Sequence, residues 1–160
     1  VQRRFDQLDD VWPAGLGRRL GGMLYDAFLV AAIWLLVTVL HLLVFRFGFG
    51  GSAEAVGSGL AQRLTLQLLL VASAFAFFAF CWGRGGMTLG MQAWRLRVQT
   101  PDGRPISLVQ SLIRYAVAWL SLAAFGLGYL WVLIDAERRS WPDLASGTRV
   151  VVLPKSPRRR

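Results

Sequence analysis

The chain has 160 residues, of which 55% are hydrophobic and only 17% charged, and its mean hydropathy is +0.47. A soluble domain needs more polar side chains than this to cover its surface, so a water-soluble fold is excluded as the expectation. The net charge of +9 would point to nucleic acid in a soluble protein. Here the 18 Lys and Arg residues lie outside or at the edges of the apolar runs, where such residues set orientation and meet anionic lipid heads, and no nucleic-acid partner is expected.

Residues 1–21 read as a charged arm containing Pro13, Gly15 and Gly17, with Trp12 suited to a membrane interface. Residues 22–45 follow as a first apolar run of 24 positions in which Asp26 is the only formal charge. A bilayer core needs about 20 helical residues, and unpaired backbone groups cannot be left in lipid, so this run is expected to be a transmembrane helix. It is too long for the hydrophobic region of a signal peptide and no small-residue cleavage site follows it, so it is expected to remain as an anchor. Residues 46–63 form a Gly- and Ser-rich outer loop, and residues 64–82, 19 positions without a charge, form the second transmembrane helix.

In residues 83–105 the stretch GRGGMTLG turns the chain, and AWRLRVQTPDGRPIS then alternates Trp94, Leu96 and Val98 against Arg95, Arg97 and Gln99. Period two followed by Pro-Asp-Gly predicts a short strand and a turn. A second strand-like run, TRVVVLP, occupies residues 148–154, and the two are expected to pair in a small ribbon. Between them lies a third apolar block, residues 106–134, and residues 135–160 hold a charged motif and a basic tail ending in Arg158–Arg160.

Counting basic residues bears on topology. The arm carries four (Arg3, Arg4, Arg18 and Arg19), the first loop two (Arg46 and Arg63), residues 83–114 five, and the tail beyond Ile134 seven. Three simple passes put nine on each side, against the positive-inside rule. If the third block enters and returns, sixteen lie on one face and two on the other. With Arg114 early and Gly126 and Gly128 late, the block can form two shorter helices, although 29 residues cannot make two full spans. The alternative is a single tilted third span. The expected fold is therefore an all-α integral membrane protein with two full transmembrane helices, a re-entrant pair or third span, and a cytoplasmic β-ribbon.

Chemistry-bearing residues are few. Asp26 stands out because a carboxylate within a span is costly and faces protein, water or a partner. Arg19, seven residues earlier, lies on nearly the same helical face but about 10 Å away along the axis, which would stretch a direct bond, and Arg114 is a candidate partner from another helix. Arg18 and Arg139 are further candidate charge partners. The stretch DAERRSWPDLASGTRVV concentrates Asp135, Glu137, Arg138, Arg139 and Asp143 just beyond the last apolar block, and Asp143 can accept backbone or arginine hydrogen bonds. No phosphate loop, catalytic triad or paired-carboxylate site is visible, one cysteine (Cys81) and one histidine (His41) make no metal set, and neither a cofactor nor an enzymatic activity is expected.

Three segments resemble the RDD family of small bacterial membrane proteins, named for one arginine and two aspartates. Arg19 and Asp26 stand at the family's seven-residue spacing, GMTLGMQAWRLRVQTPDGRPIS is similar to its central loop, and RRSWPDLASGTRVV is similar to its C-terminal motif. The resemblance assigns the family arginine to Arg19 and the aspartates to Asp26 and Asp143. It departs at Gly22, where alanine is usual, and at Pro142, where histidine is frequent. It implies a multi-pass protein of the bacterial inner membrane, and the count of basic residues makes its N-terminus the expected cytoplasmic end. It also implies one of two roles. In the first, the chain is a cation/proton transporter or transporter subunit working through Asp26, oligomeric because so few passes cannot enclose a pathway. In the second, it is a non-catalytic partner of another membrane protein, held together by Arg19, Asp26 and Asp143.

Overall fold

The computed structural model describes Phe5 and residues 10–52 and 55–155; Arg3 and Arg4 of the arm and Arg158–Arg160 of the tail lie outside the described residues. The chain is mostly helical and divides into two compact units, Val1–Asp26 with Phe78–Arg160, and Ala27–Phe77.

Helix α1 (Leu16–Leu43) runs through the first apolar block and continues as a wider turn over Val44–Gly48, and α2 (Leu60–Gly85) holds the second. Each outruns the 22–45 and 64–82 expected from hydropathy, because the helical ladder continues past the last apolar residue into basic flanks. Both are long and apolar enough to cross a membrane, and only 6% of the most apolar window of either is buried. Such helices present their hydrophobic surface outward, to lipid or to other helices. Within Ala27–Phe77, the indole of Trp34 donates to the Leu70 carbonyl oxygen at 2.9 Å. The loop is tied by Arg46 to the Gly51 carbonyl oxygen (2.8 Å) and by Arg63 to that of Gly57 (2.7 Å).

The other unit is built on a sheet. Strand β2 (Leu96–Gln99) pairs with β3 (Arg149–Val152), as expected of the two strand-like runs, and does so antiparallel with Leu96 opposite Val152. The ribbon is nonetheless three-stranded, in the order β1-β3-β2, because Trp12–Pro13 (β1) joins the outer edge of β3. A strand of two residues leaves no periodicity to read, and Pro13, which lacks an N–H, is tolerated at an edge. Both faces of β2 are buried. Leu96 and Val98 join Ala14, Trp82, Met91, Ile106, Val150 and Val152 in the core, while on the opposite face Arg97 donates to Gln99 Oε1 and lies 4.3 Å from the centroid of the Phe5 ring.

The third apolar block is broken. Helix α4 (Leu108–Ala123) starts at a capping box, with Ser107 accepting from the Gln110 N–H and the Gln110 side chain accepting from the Ser107 N–H. After Ala124 the chain passes through Phe125 and Gly126, both at positive φ. It resumes as α5 (Leu127–Leu130) and a tighter turn over Trp131–Leu133, bent by 104° from α4. Two shorter helices with a glycine break, not a straight third span, is thus the local geometry. In α4 the usual amphipathic order is reversed: Ser111, Arg114, Tyr115 and Ser121 are buried, whereas Leu108, Val109, Leu112, Leu120 and Leu122 are exposed.

Helix α3 (Leu89–Ala93) packs its start against α1 at a crossing that only glycine allows. A Cβ on Gly90 would overlap the Gly22 carbonyl oxygen and come within 2.8 Å of Asp26 Oδ1. Gly90→Ala is expected to lower stability by about 1–3 kcal/mol through overpacking. Gly17→Ala in α1, where nothing lies within 4 Å, should leave it unchanged or raised; the paired comparison is a thermal melt in detergent.

Candidate functional site

Asp143 anchors the first of two polar clusters. It is the third residue of α6 (Trp141–Ser146), with Ser140 at the N-cap, Pro142 in the first turn where a missing N–H is harmless, and Gly147 at φ 64° ending the helix. From there its carboxylate is buried between two guanidinium groups. Arg19 Nη1 of α1 donates to Oδ2 at 2.8 Å, and Arg114 Nη1 of α4 donates to Oδ1 at 2.6 Å. The Ser140 N–H also donates to Oδ2, at 3.1 Å.

The arginines are held from their other sides. Arg19 Nε donates to the Ala14 carbonyl oxygen (3.1 Å) and Nη2 to that of Arg138 (2.8 Å). A tight turn, in which Arg138 sits at φ 54° and its N–H bonds the Asp135 carbonyl oxygen, precedes that contact. Arg114 Nη1 also donates to Thr148 Oγ1 at 2.7 Å, and its guanidinium lies 5.2 Å from the Trp82 ring centroid, a cation–π distance. Burial by itself pushes the Asp143 carboxyl up, but the charges of Arg114 and Arg19 and the hydrogen bonds they and Ser140 supply outweigh it and hold it below its ordinary value.

Asp26 belongs to a second cluster. Its Oδ1 accepts from the Gly90 N–H at 3.0 Å and its Oδ2 from the Thr88 hydroxyl, and Thr88 Oγ1 accepts from the Met91 N–H at 3.1 Å. The aspartate of the first apolar helix thus caps α3 together with its N-cap residue Thr88, and a carboxylate is favoured at that end. Among the described residues Asp26 makes no ion pair. Arg114 as its partner is therefore overturned: α4 places Arg114 on Asp143 instead. Arg19, Asp26 and Asp143 do not converge at one point, since Arg19 and Asp143 form one cluster and Asp26 another.

These two clusters tie three distant segments together: the start of α1, the central loop and the C-terminal motif. A model of the RDD family matches residues 13–147, a range holding Arg19, Asp26 and Asp143. The chain belongs to the RDD family. No curated protein and no solved structure matches it.

In this RDD chain, Gly22 and Pro142 sit at the departures from the family pattern, and both are sterically mild. A Cβ at Gly22 would meet ordinary contacts of 3.5 Å or more, so alanine and glycine both fit, and Pro142 occupies a first-turn position without disturbing Asp143. Of the other expected partners, Arg18 donates to the Trp94 carbonyl oxygen at 3.3 Å. Arg139 pairs with Asp135 at 3.0 Å and with Glu137 at 3.5 Å. Thr88, Gly90 and Thr148 were missed by sequence reasoning. The signal for the first two was Thr88-Leu89-Gly90, a Thr ahead of a short apolar run, which marks a helix N-cap; Thr148 carries none.

Asp143→Asn leaves two buried guanidinium groups facing a neutral amide, and breaking a buried pair in this way is expected to destabilise by about 3–5 kcal/mol. A folded-state pKa held below the ordinary 3.8 means that the stability from this carboxylate is complete above that value and is lost as pH falls through the lower, folded one. Thermal melts of wild type and variant should therefore differ by a constant amount near neutrality and converge only in strong acid.

Proposed function

We propose that this RDD protein is a non-catalytic partner module of the bacterial inner membrane, which presents its apolar helices to another membrane protein. The observation that carries this reading is that all three signature residues are engaged within the fold. Asp143 is closed between Arg19 and Arg114, and Asp26 is closed by Thr88 and Gly90. The outward apolar surface of α1 and α2 is what remains for association, with 6% of each window buried.

A specific observation also favours a second reading, cation/proton transport through Asp26. It is the only formal charge in the first apolar run, and no arginine neutralises it among the described residues. Proteoliposomes of the purified chain separate the two. The partner role expects no cation-dependent proton flux, with wild type and Asp26→Asn alike, and a lower folded yield for Asp26→Asn. Normal folded yield with wild-type flux abolished by Asp26→Asn would sink it in favour of transport.

A cytoplasmic N-terminus and a third block that returns to the same face form part of the proposal. Strands from before α1, after α2 and after the third block hydrogen-bond in one sheet, and strands so paired share one side of a bilayer. That arrangement gathers sixteen basic residues on one face, which the positive-inside rule makes cytoplasmic. In a Cys81→Ser background, Lys155→Cys is expected to label with a membrane-impermeant maleimide only from the cytoplasmic side and Ser58→Cys only from outside; external labelling at position 155 would overturn the topology.

A further inference from the structure

An arginine-lined cleft of about 220 Å³ opens between β1, the turn before α6, and β3. Four arginines (Arg19, Arg138, Arg139 and Arg149) line it against two carboxylates, Glu137 and Asp143. The excess of two positive charges falls on particular residues. Asp143 is spent on Arg19 and Arg114, and Glu137 lies 3.5 Å from Arg139, which Asp135 also neutralises. Arg138 and Arg149 make no ion pair among the described residues, and the Arg149 Nε is buried with no acceptor. Arg149 also adds its positive charge to the environment of buried Arg97.

Two arginines without an ion pair lining one small cleft are unfavourable unless an anion meets them. Planar forks of this kind match phosphate oxygens best. The volume is below the roughly 300–1,000 Å³ of a site for a whole drug-sized ligand, and suits one anionic group. Position narrows the source. Arg19 lies in the first turns of α1, just ahead of the apolar run, Arg138 Nη1 is 3.6 Å from where a Cβ on Gly15 would stand, and Trp12, 44% exposed, lines the same cleft. The cleft is therefore at the polar end of the first apolar helix, where a bilayer crossed by that helix would place its lipid phosphates, with an aromatic side chain of the interfacial kind beside it.

We infer that this cleft binds a phosphate group through Arg138 and Arg149, and that the phosphate is that of an anionic lipid headgroup. The site is separate from the surface assigned to a protein partner and does not depend on that assignment.

The test uses the purified full chain in detergent, titrated with phosphatidylglycerol, with phosphatidylcholine and with inorganic phosphate, and read by native mass spectrometry for retained lipid. Wild type is expected to retain phosphatidylglycerol over phosphatidylcholine. At about fivefold in affinity for each arginine near a lipid phosphate, Arg138→Gln should weaken retention about fivefold and the pair Arg138→Gln/Arg149→Gln about thirtyfold. Arg138→Gln alone keeps the inference testable if the double variant does not fold, because the Arg138 side chain is exposed and forms none of the ion pairs within the fold. Arg63→Gln, in the loop of the other unit, should change nothing. Displacement of phosphatidylglycerol by millimolar inorganic phosphate from wild type would support the phosphate site and assign it a soluble source; failure to displace would support the lipid. Equal retention by wild type and the double variant, or an equal loss in Arg63→Gln, would overturn the inference.

Discussion

A carboxylate at Asp143, removed from water and closed between the guanidinium groups of Arg19 and Arg114, is the constraint on which the rest of this protein hangs. A buried charge is tolerable only with its partners in place. Satisfying Asp143 therefore requires the start of α1, the middle of α4 and the first turn of α6 to meet at one spot. Once they meet, β3 leaves Gly147 in the direction that pairs it with β2, and the arm before α1 reaches the other edge of β3. The ion cluster thus ties the start of α1 to the two segments that flank β3, while Asp26 is held separately by Thr88 and Gly90.

The reversed face of α4 is the complement of that cluster. Because Arg114 must reach Asp143, with Ser111, Tyr115 and Ser121 buried on the same helix, the leucines on the opposite side are left outside. In water such a helix would expose its apolar side at a large cost. The most apolar windows of α1 and α2 are likewise only 6% buried, and a bilayer would stabilise such surfaces. The bend of 104° after Ala123 then turns the chain back toward the sheet, which lets the C-terminal motif reach Arg19.

Much of this was legible in residues. Long charge-poor runs locate α1 and α2, since no other structure satisfies backbone groups in lipid, and the alternation at Leu96 and Val98 against Arg97 and Gln99 locates β2. The glycine at position 126 marks the break in the third block. What escaped was what depends on a partner distant in the chain. Trp12–Pro13 becomes a strand only because Val151 and Val152 offer an edge, and on the polar face of β2 Arg97 is met by the Phe5 ring, far away in the chain.

Sequence alone therefore determined two apolar helices, a broken third block and two strand-forming runs, because hydropathy, period and punctuation are local properties; the RDD assignment came from the resemblance of three segments and the family match. It also singled out Arg19, Asp26 and Asp143. Only tertiary structure decided how they are used. Arg114 goes to Asp143 and not to Asp26, since the choice between two carboxylates depends on where α4 and α6 come to rest. Asp26 finds Thr88 and Gly90, 62 and 64 residues away, since a crossing of two glycines brings the start of α3 within hydrogen-bond reach of α1.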